Sequence, residues 1–129
     1  MNSEQKIISF IQFQLPAIAW GFFIYVASSI PQSKLPELVT YTDKVVHAGV
    51  FGILCWLLHV ALSHQGNYTL KRHGLMIAVV FVFLYGVSDE YHQLFSPGRS
   101  SDPYDVLADV SGAVIYAIVN LRYRFYRDE

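Results

Sequence analysis

The sequence predicts an all-α integral membrane protein built from four transmembrane helices. The chain has 129 residues, of which 53% are hydrophobic and only 15% charged; an average soluble domain carries about 25% charged residues. Four apolar runs, at about 7–30, 43–63, 70–95 and 103–121, each come near the ~20 residues that cross a bilayer. Stretches such as 75–87 are apolar on every side, whereas a water-soluble bundle needs a polar face on each helix. Strand alternation, internal repeats and low-complexity tracts are absent, so residues 1–129 are expected to form one domain.

The first run contains Pro16, which should kink the helix or mark where an interfacial turn becomes the spanning part. Gln12 and Gln14 just before it fit the second alternative. Ser28-Ser29-Ile30-Pro31 ends this helix, and Pro31 and Pro36 keep the link extended. Thr42 or Asp43 is placed to cap the second helix, and His64-Gln65-Gly66-Asn67 is a turn that ends it. The third helix starts at about Leu70 or Gly74 and stops at Ser96-Pro97-Gly98. Asp102-Pro103 is a strong start signal for the fourth, with Asp as N-cap and Pro at the first helical position. Gly49, Gly52 and Gly86, with Ala48, mark positions where helices could approach closely.

Several classes of function are disfavoured. A net charge of −1 with no basic cluster argues against nucleic acid as a partner. The single cysteine, Cys55, permits no internal disulfide and sits in an apolar run as a small core residue. The N-terminus, with one lysine before its apolar run and no small-residue cleavage site, does not read as a signal peptide. His59, His64 and His73 lie at mid-helix or at the opposite end from the acidic residues, and read as packing or interfacial residues.

Basic residues orient the helices. With four crossings, both termini and the middle link share one side, which holds Lys6, Lys71, Arg72, Arg122, Arg124 and Arg127; the other holds Lys34, Lys44 and Arg99. Six against three puts both termini in the cytoplasm of a multi-pass cell-membrane protein. The same count of crossings gathers Glu37, Asp43, Asp89, Glu90, Asp102, Asp105 and Asp109 at the outer side, with His47 and His92. Lys34 and Glu37 read as solvated, and Asp102 as a cap. His47 lies one turn below Asp43, and Asp109 one turn below Asp105. Glu90 and Gln93 share a helix face. Ionisable groups at such depth cost at least ~2.5–3.5 kcal/mol each on insertion scales and usually face a bundle interior or a watery cavity.

Two uses of this cluster stand side by side. In the first it is an outward-facing site for an anionic or phosphorylated lipid head group. His47 would act there as general base or nucleophile oriented by Asp43, and Glu90 or Asp105 would handle a proton. Lys44 and Arg99 would neutralise the anion, and Gln93 and Asp109 would complete the substrate-binding set. In the second the network is structural, Arg99 pairs with Glu90 or Asp105, and the bundle is a non-catalytic binding or partner protein. No cofactor motif occurs. Asp43, Glu90, Asp105 and Asp109 supply hard oxygens and His47 an imidazole, a donor set a divalent metal could use, but no HExxH spacing is present. Oligomeric state is open.

Asp43-Lys44-Val45-Val46-His47, then Glu90-Tyr91-His92-Gln93 with Phe95, then Arg99, then Asp105-Val106-Leu107-Ala108-Asp109 with Gly112, resemble the VanZ-like family, named after the teicoplanin-resistance protein. The resemblance covers Asp43 to about Gly112. The family's Asp, Lys, His, Glu, Gln, Arg and Asp fall on Asp43, Lys44, His47, Glu90, Gln93, Arg99 and Asp105, while Asp109 stands where the family's Asn is expected. The resemblance implies a small bacterial membrane protein of the cell envelope, in some members linked to glycopeptide or lipoglycopeptide resistance.

Overall fold

The computed structural model describes residues 2–34 and 40–127; the expectations for Pro36 and Glu37 lie outside them. Among the described residues there are four long helices and no strand, and all four helices are long and apolar enough to cross a membrane.

Helix α1 spans Ser3–Ser28 and starts earlier than expected because Asn2 caps it. The Asn2 side chain accepts from Gln5 N at 2.9 Å, and the Gln5 side chain accepts from Asn2 N at 3.0 Å. The chain passes Pro16 without a break. Proline has no N–H to give to the carbonyl one turn back, and its ring crowds that carbonyl. The preceding turn, Phe10–Gln14, widens to a π-helix in which Leu15 N–H reaches Phe10 O. An inserted residue of this kind absorbs the misfit that would otherwise become a sharp kink.

Helix α2 spans Thr40–Ser63. It begins ahead of Thr42 and Asp43, so both sit inside its first turn rather than capping it. Helix α3 spans Tyr68–Gln93, capped by the Asn67 side chain, which accepts from Thr69 N and Leu70 N at 2.8 and 3.3 Å. Helix α4 spans Pro103–Arg127. Asp102 Oδ1 accepts from Tyr104 N at 2.9 Å, which satisfies a donor left over at the helix start. This helix continues through Arg122 and Arg124. Its 25 residues measure about 37 Å at 1.5 Å per residue, longer than a hydrocarbon core of about 30 Å.

Helices α2, α3 and α4 form the body of the bundle, with α1 laid against α2 and α3. The core is a narrow column of Phe51, Leu54, Cys55, Ala78, Val82 and Ala113. Phe22, Leu84 and Ile115 point outward and are 67%, 59% and 60% exposed, an outer apolar surface suited to lipid and not to water. The closest approach is between α2 and α4, where a Cβ placed on Gly112 would lie 1.9 Å from Ala48 O. Gly52 faces the same contact, with Gly112 O 3.2 Å from its Cβ position. Gly49 meets nothing within 4 Å and takes no part in close packing, unlike the expectation for it. Such backbone contact supplies helix association where lipid removes the hydrophobic driving force.

Candidate functional site

The polar residues collect at the end of the bundle where α1 and α3 finish and α2 and α4 begin. Asp89, Glu90, Gln93, Asp105 and Asp109 are all buried. They form two linked groups.

The first group centres on Lys44. Its ammonium lies 2.6 Å from Asp102 Oδ2, hydrogen-bonds Asp105 Oδ1, and is 3.7 Å from Asp43 Oδ2. Lys44 is therefore paired with carboxylates of its own chain, which leaves less of its charge for an external anion. The ammonium beside Asp102 holds that half-exposed carboxyl below the usual carboxylate range. Its contribution to stability is present above the unfolded-state value and is lost as pH falls through the lower folded-state value.

His47 stands one turn below. Its Nδ1 is 2.9 Å from Asp109 Oδ1, and its Nε2 is 3.9 Å from Asp105 Oδ2. Asp109, not Asp43, is thus the carboxylate that orients the ring. A hydrogen on Nδ1 satisfies that contact and leaves Nε2 as the basic nitrogen, an assignment from geometry. Asp109 is 0% exposed, and its Oδ2 has no partner among the described residues. That oxygen rests against α3 at Gly86, where a Cβ would lie 2.7 Å away; the absent side chain makes room for the carboxylate.

The second group centres on Gln93. Its Nε2 donates to Asp89 Oδ2 at 3.0 Å and to Glu90 Oε1 at 3.2 Å, while its Oε1 accepts from Arg99 Nε and Nη2 at 3.2 and 2.7 Å. This fixes the amide, with nitrogen toward the acids and oxygen toward the guanidinium. Arg99 is delivered by the turn Ser96-Pro97-Gly98-Arg99. Gly98 has φ +76, Arg99 N donates to Ser96 O at 3.1 Å, and Gln32 N donates to Pro97 O at 3.1 Å. A positive φ after proline is the geometry of a type II turn, which glycine adopts without strain. The expected pairing of Arg99 with Glu90 or Asp105 is absent: among the described residues its guanidinium is held by a neutral amide and by no carboxylate. Glu90 is instead occupied structurally, its Oε2 accepting from Asp102 N at 2.7 Å and so tying the α3–α4 link to α3.

Asp43, His47, Gln93 and Arg99 line one cavity of about 230 Å³, together with Asp89, Ser28 and an apolar wall that includes Phe23, Val46 and Phe51. Lys44, Glu90, Asp105 and Asp109 stand behind these residues and hold them. Asp89 and Ser28 were not singled out as site residues from sequence. The Ser28 hydroxyl hydrogen-bonds Asp89 Oδ1 and also reaches Ile24 O at 3.0 Å. The available signal was the adjacency of Asp89 to Glu90: neighbours on a helix point about 100° apart, so two acids in a row at that depth serve two directions.

Asp43, His47 and Asp105 each offer one ligand atom, all within 4.8 Å of one another, a donor set that suits a hard divalent cation. Lys44 already places a positive charge on Asp105 and near Asp43, so a metal there would have to displace it.

Among the other histidines, His59 Nδ1 is 2.8 Å from Tyr116 OH, and His64 stacks on Phe13 at 3.7 Å, consistent with packing roles. Searches of curated proteins and of solved structures gave no match. A family comparison did: residues 2–123 match VanZ/LLP1, a span that holds every residue of the cavity and reaches well beyond the Asp43–Gly112 stretch that carries the motifs. With nearly its whole length matched, the chain belongs to the VanZ/LLP1 family.

Proposed function

We propose that this membrane protein binds an anionic, phosphorylated lipid head group or cell-envelope intermediate in the cavity under Arg99, and that His47 with Asp109 acts there as a general base. The observation that carries the reading is the state of Arg99. A guanidinium anchored through two N–H groups to Gln93 Oε1, with no carboxylate on it among the described residues, keeps donors for a further acceptor. Its fork matches phosphate bidentately. The cavity pairs this polar floor with an apolar wall, which suits a molecule with a charged head and a hydrocarbon tail. His47 lines the same cavity, and its Nε2 could take a proton from a bound hydroxyl or water. A cell-envelope ligand is also the class that would link this chain to glycopeptide resistance, as its family suggests.

Arg99→Lys tests this. Lysine keeps the charge and loses the fork. The variant should melt like the wild type and bind anionic phospholipid about ten- to a hundredfold more weakly, the equivalent of roughly 1.5–3 kcal/mol for a charge-assisted bond. Native mass spectrometry and thermal unfolding on one preparation give both numbers. Equal lipid retention with a large fall in melting temperature would make Arg99 a structural residue.

A second reading, a non-catalytic partner protein with a structural network, is favoured by the engagement of Lys44 and Glu90 with Asp102. We infer further that residues 1–129 act as one domain and that the site faces the cell exterior, since six basic residues flank the opposite side and three flank this one. In a Cys55→Ser background, a cysteine at Ser101 should react with an impermeant thiol reagent in intact cells and one at Asn2 should not. The reverse pattern would turn the site toward the cytoplasm.

A further inference from the structure

A second cavity, of about 220 Å³, also has Asp89 in its lining. Tyr25 of α1, Tyr85 and Tyr91 of α3, and Phe95 just beyond α3 form its walls, and Asp89 contributes to its surface. Asp89 therefore borders both cavities. Its carboxylate is buried and accepts from the Gln93 amide and from Ser28, yet among the described residues no Lys, Arg or His lies within ion-pair distance of it. A carboxylate has about four acceptor directions, so two neutral donors do not saturate it. Aromatic faces attract cations, and buried acids are stabilised by an opposite charge.

His92 also lines this cavity, but its described hydrogen bond runs to Ser29 and not to Asp89. Its ring stacks on Tyr25 at 4.5 Å, and its Nε2 is 2.9 Å from Ser29 Oγ. The Ser29 hydroxyl also reaches Tyr25 O at 2.8 Å.

We propose that the aromatic-walled cavity at Asp89 takes an organic ammonium group, and that with Arg99 it makes the site selective for a zwitterionic phospholipid head group, phosphate on Arg99 and ammonium on Asp89. The phosphate half rests on the reading of Arg99 given above; the ammonium half stands on Asp89 and the aromatic walls. Gln93 sets the polarity between the halves, with its oxygen turned to Arg99 and its nitrogen to Asp89.

The test compares phosphatidylethanolamine with phosphatidylglycerol of the same acyl chains, by native mass spectrometry of the full-length protein. Both carry the phosphate and only the first carries an ammonium. Wild type should retain phosphatidylethanolamine about three- to tenfold better. Tyr91→Leu, at a side chain that is 65% exposed, should bring the ratio close to one while phosphatidylglycerol retention stays level, and Asp89→Asn should lower the ratio likewise. Tyr91→Leu keeps the test valid if Asp89→Asn fails to fold. A wild-type ratio near one, or a preference that survives in Tyr91→Leu, overturns the proposal. Arg99→Lys separates the two readings: if it lowers both lipids equally the phosphate reading stands, and if both are unchanged while the wild-type preference persists only the ammonium half stands. Free ethanolamine that displaces no lipid supports a head-group site. Displacement that depends on Asp89 and Tyr91 moves the ammonium assignment to a soluble amine and overturns the phospholipid half.

Discussion

Replacing Gly112 with alanine should cost about 3 kcal/mol or more, at the upper end of overpacking penalties. The new methyl would lie 1.9 Å from Ala48 O and 2.7 Å from Ala48 C. Both are backbone atoms inside α2, so no rotamer change relieves the overlap, and α2 and α4 must move apart. Separation would also disturb the site, because His47 on α2 meets Asp109 on α4 three residues before the glycine. Gly49→Ala is the control. It adds a methyl to α2 one residue after Ala48, but into open space, and alanine is the better helix former by up to about 1 kcal/mol. Thermal or denaturant unfolding in detergent should therefore show a collapse for Gly112→Ala and little change or a small gain for Gly49→Ala. Similar melting temperatures for the two variants would remove the α2–α4 contact from the account.

The second large effect is expected at Lys44. Lys44→Met removes the only described lysine or arginine in contact with Asp102 and Asp105, and Asp105 is buried. Breaking a fully buried pair costs about 3–5 kcal/mol because the remaining charge is left uncompensated, and the loss here should fall somewhat below that, since Lys44 is 27% exposed and water reaches it. Lys44→Met should thus unfold at much lower temperature, and Lys44→Met with Asp105→Leu should recover much of the loss by removing the stranded acid. A Lys44→Met variant that melts normally but loses anionic lipid would return Lys44 to the ligand-binding set and contradict the structural role.

Much of the fold was legible because lipid imposes simple rules. A mostly apolar stretch of about twenty residues, ended by Ser28-Ser29-Ile30-Pro31 or started by Asp102-Pro103, defines a crossing, and counting crossings puts His47, Glu90, Arg99 and Asp109 at one end. The rotation of each helix about its own axis was not legible. In water a polar face fixes it; here Gly49 and Gly52 sit on equally apolar backgrounds, and only the structure separates the lipid-facing one from the one against α4. For the same reason the partners inside the cluster were misassigned. Asp43 and Asp109 are each one turn from a plausible neighbour, but His47 takes Asp109 on another helix. Lys44 looked free because both acids that hold it lie about sixty residues away. Ser28 read as a helix terminator, and its bond to Asp89 links α1 to α3.

The central claim is that Arg99 and His47 face one bound phosphate group. An experimental structure of the protein in nanodiscs containing phospholipid tests it most directly. The expected result is head-group density in the cavity, with a phosphate oxygen within hydrogen-bond distance of the Arg99 guanidinium, Gln93 Oε1 still on the other edge of the fork, and His47 Nε2 turned toward the ligand. Lipid density confined to the outer faces of the helices, with Arg99 paired to a carboxylate of its own chain, would contradict it.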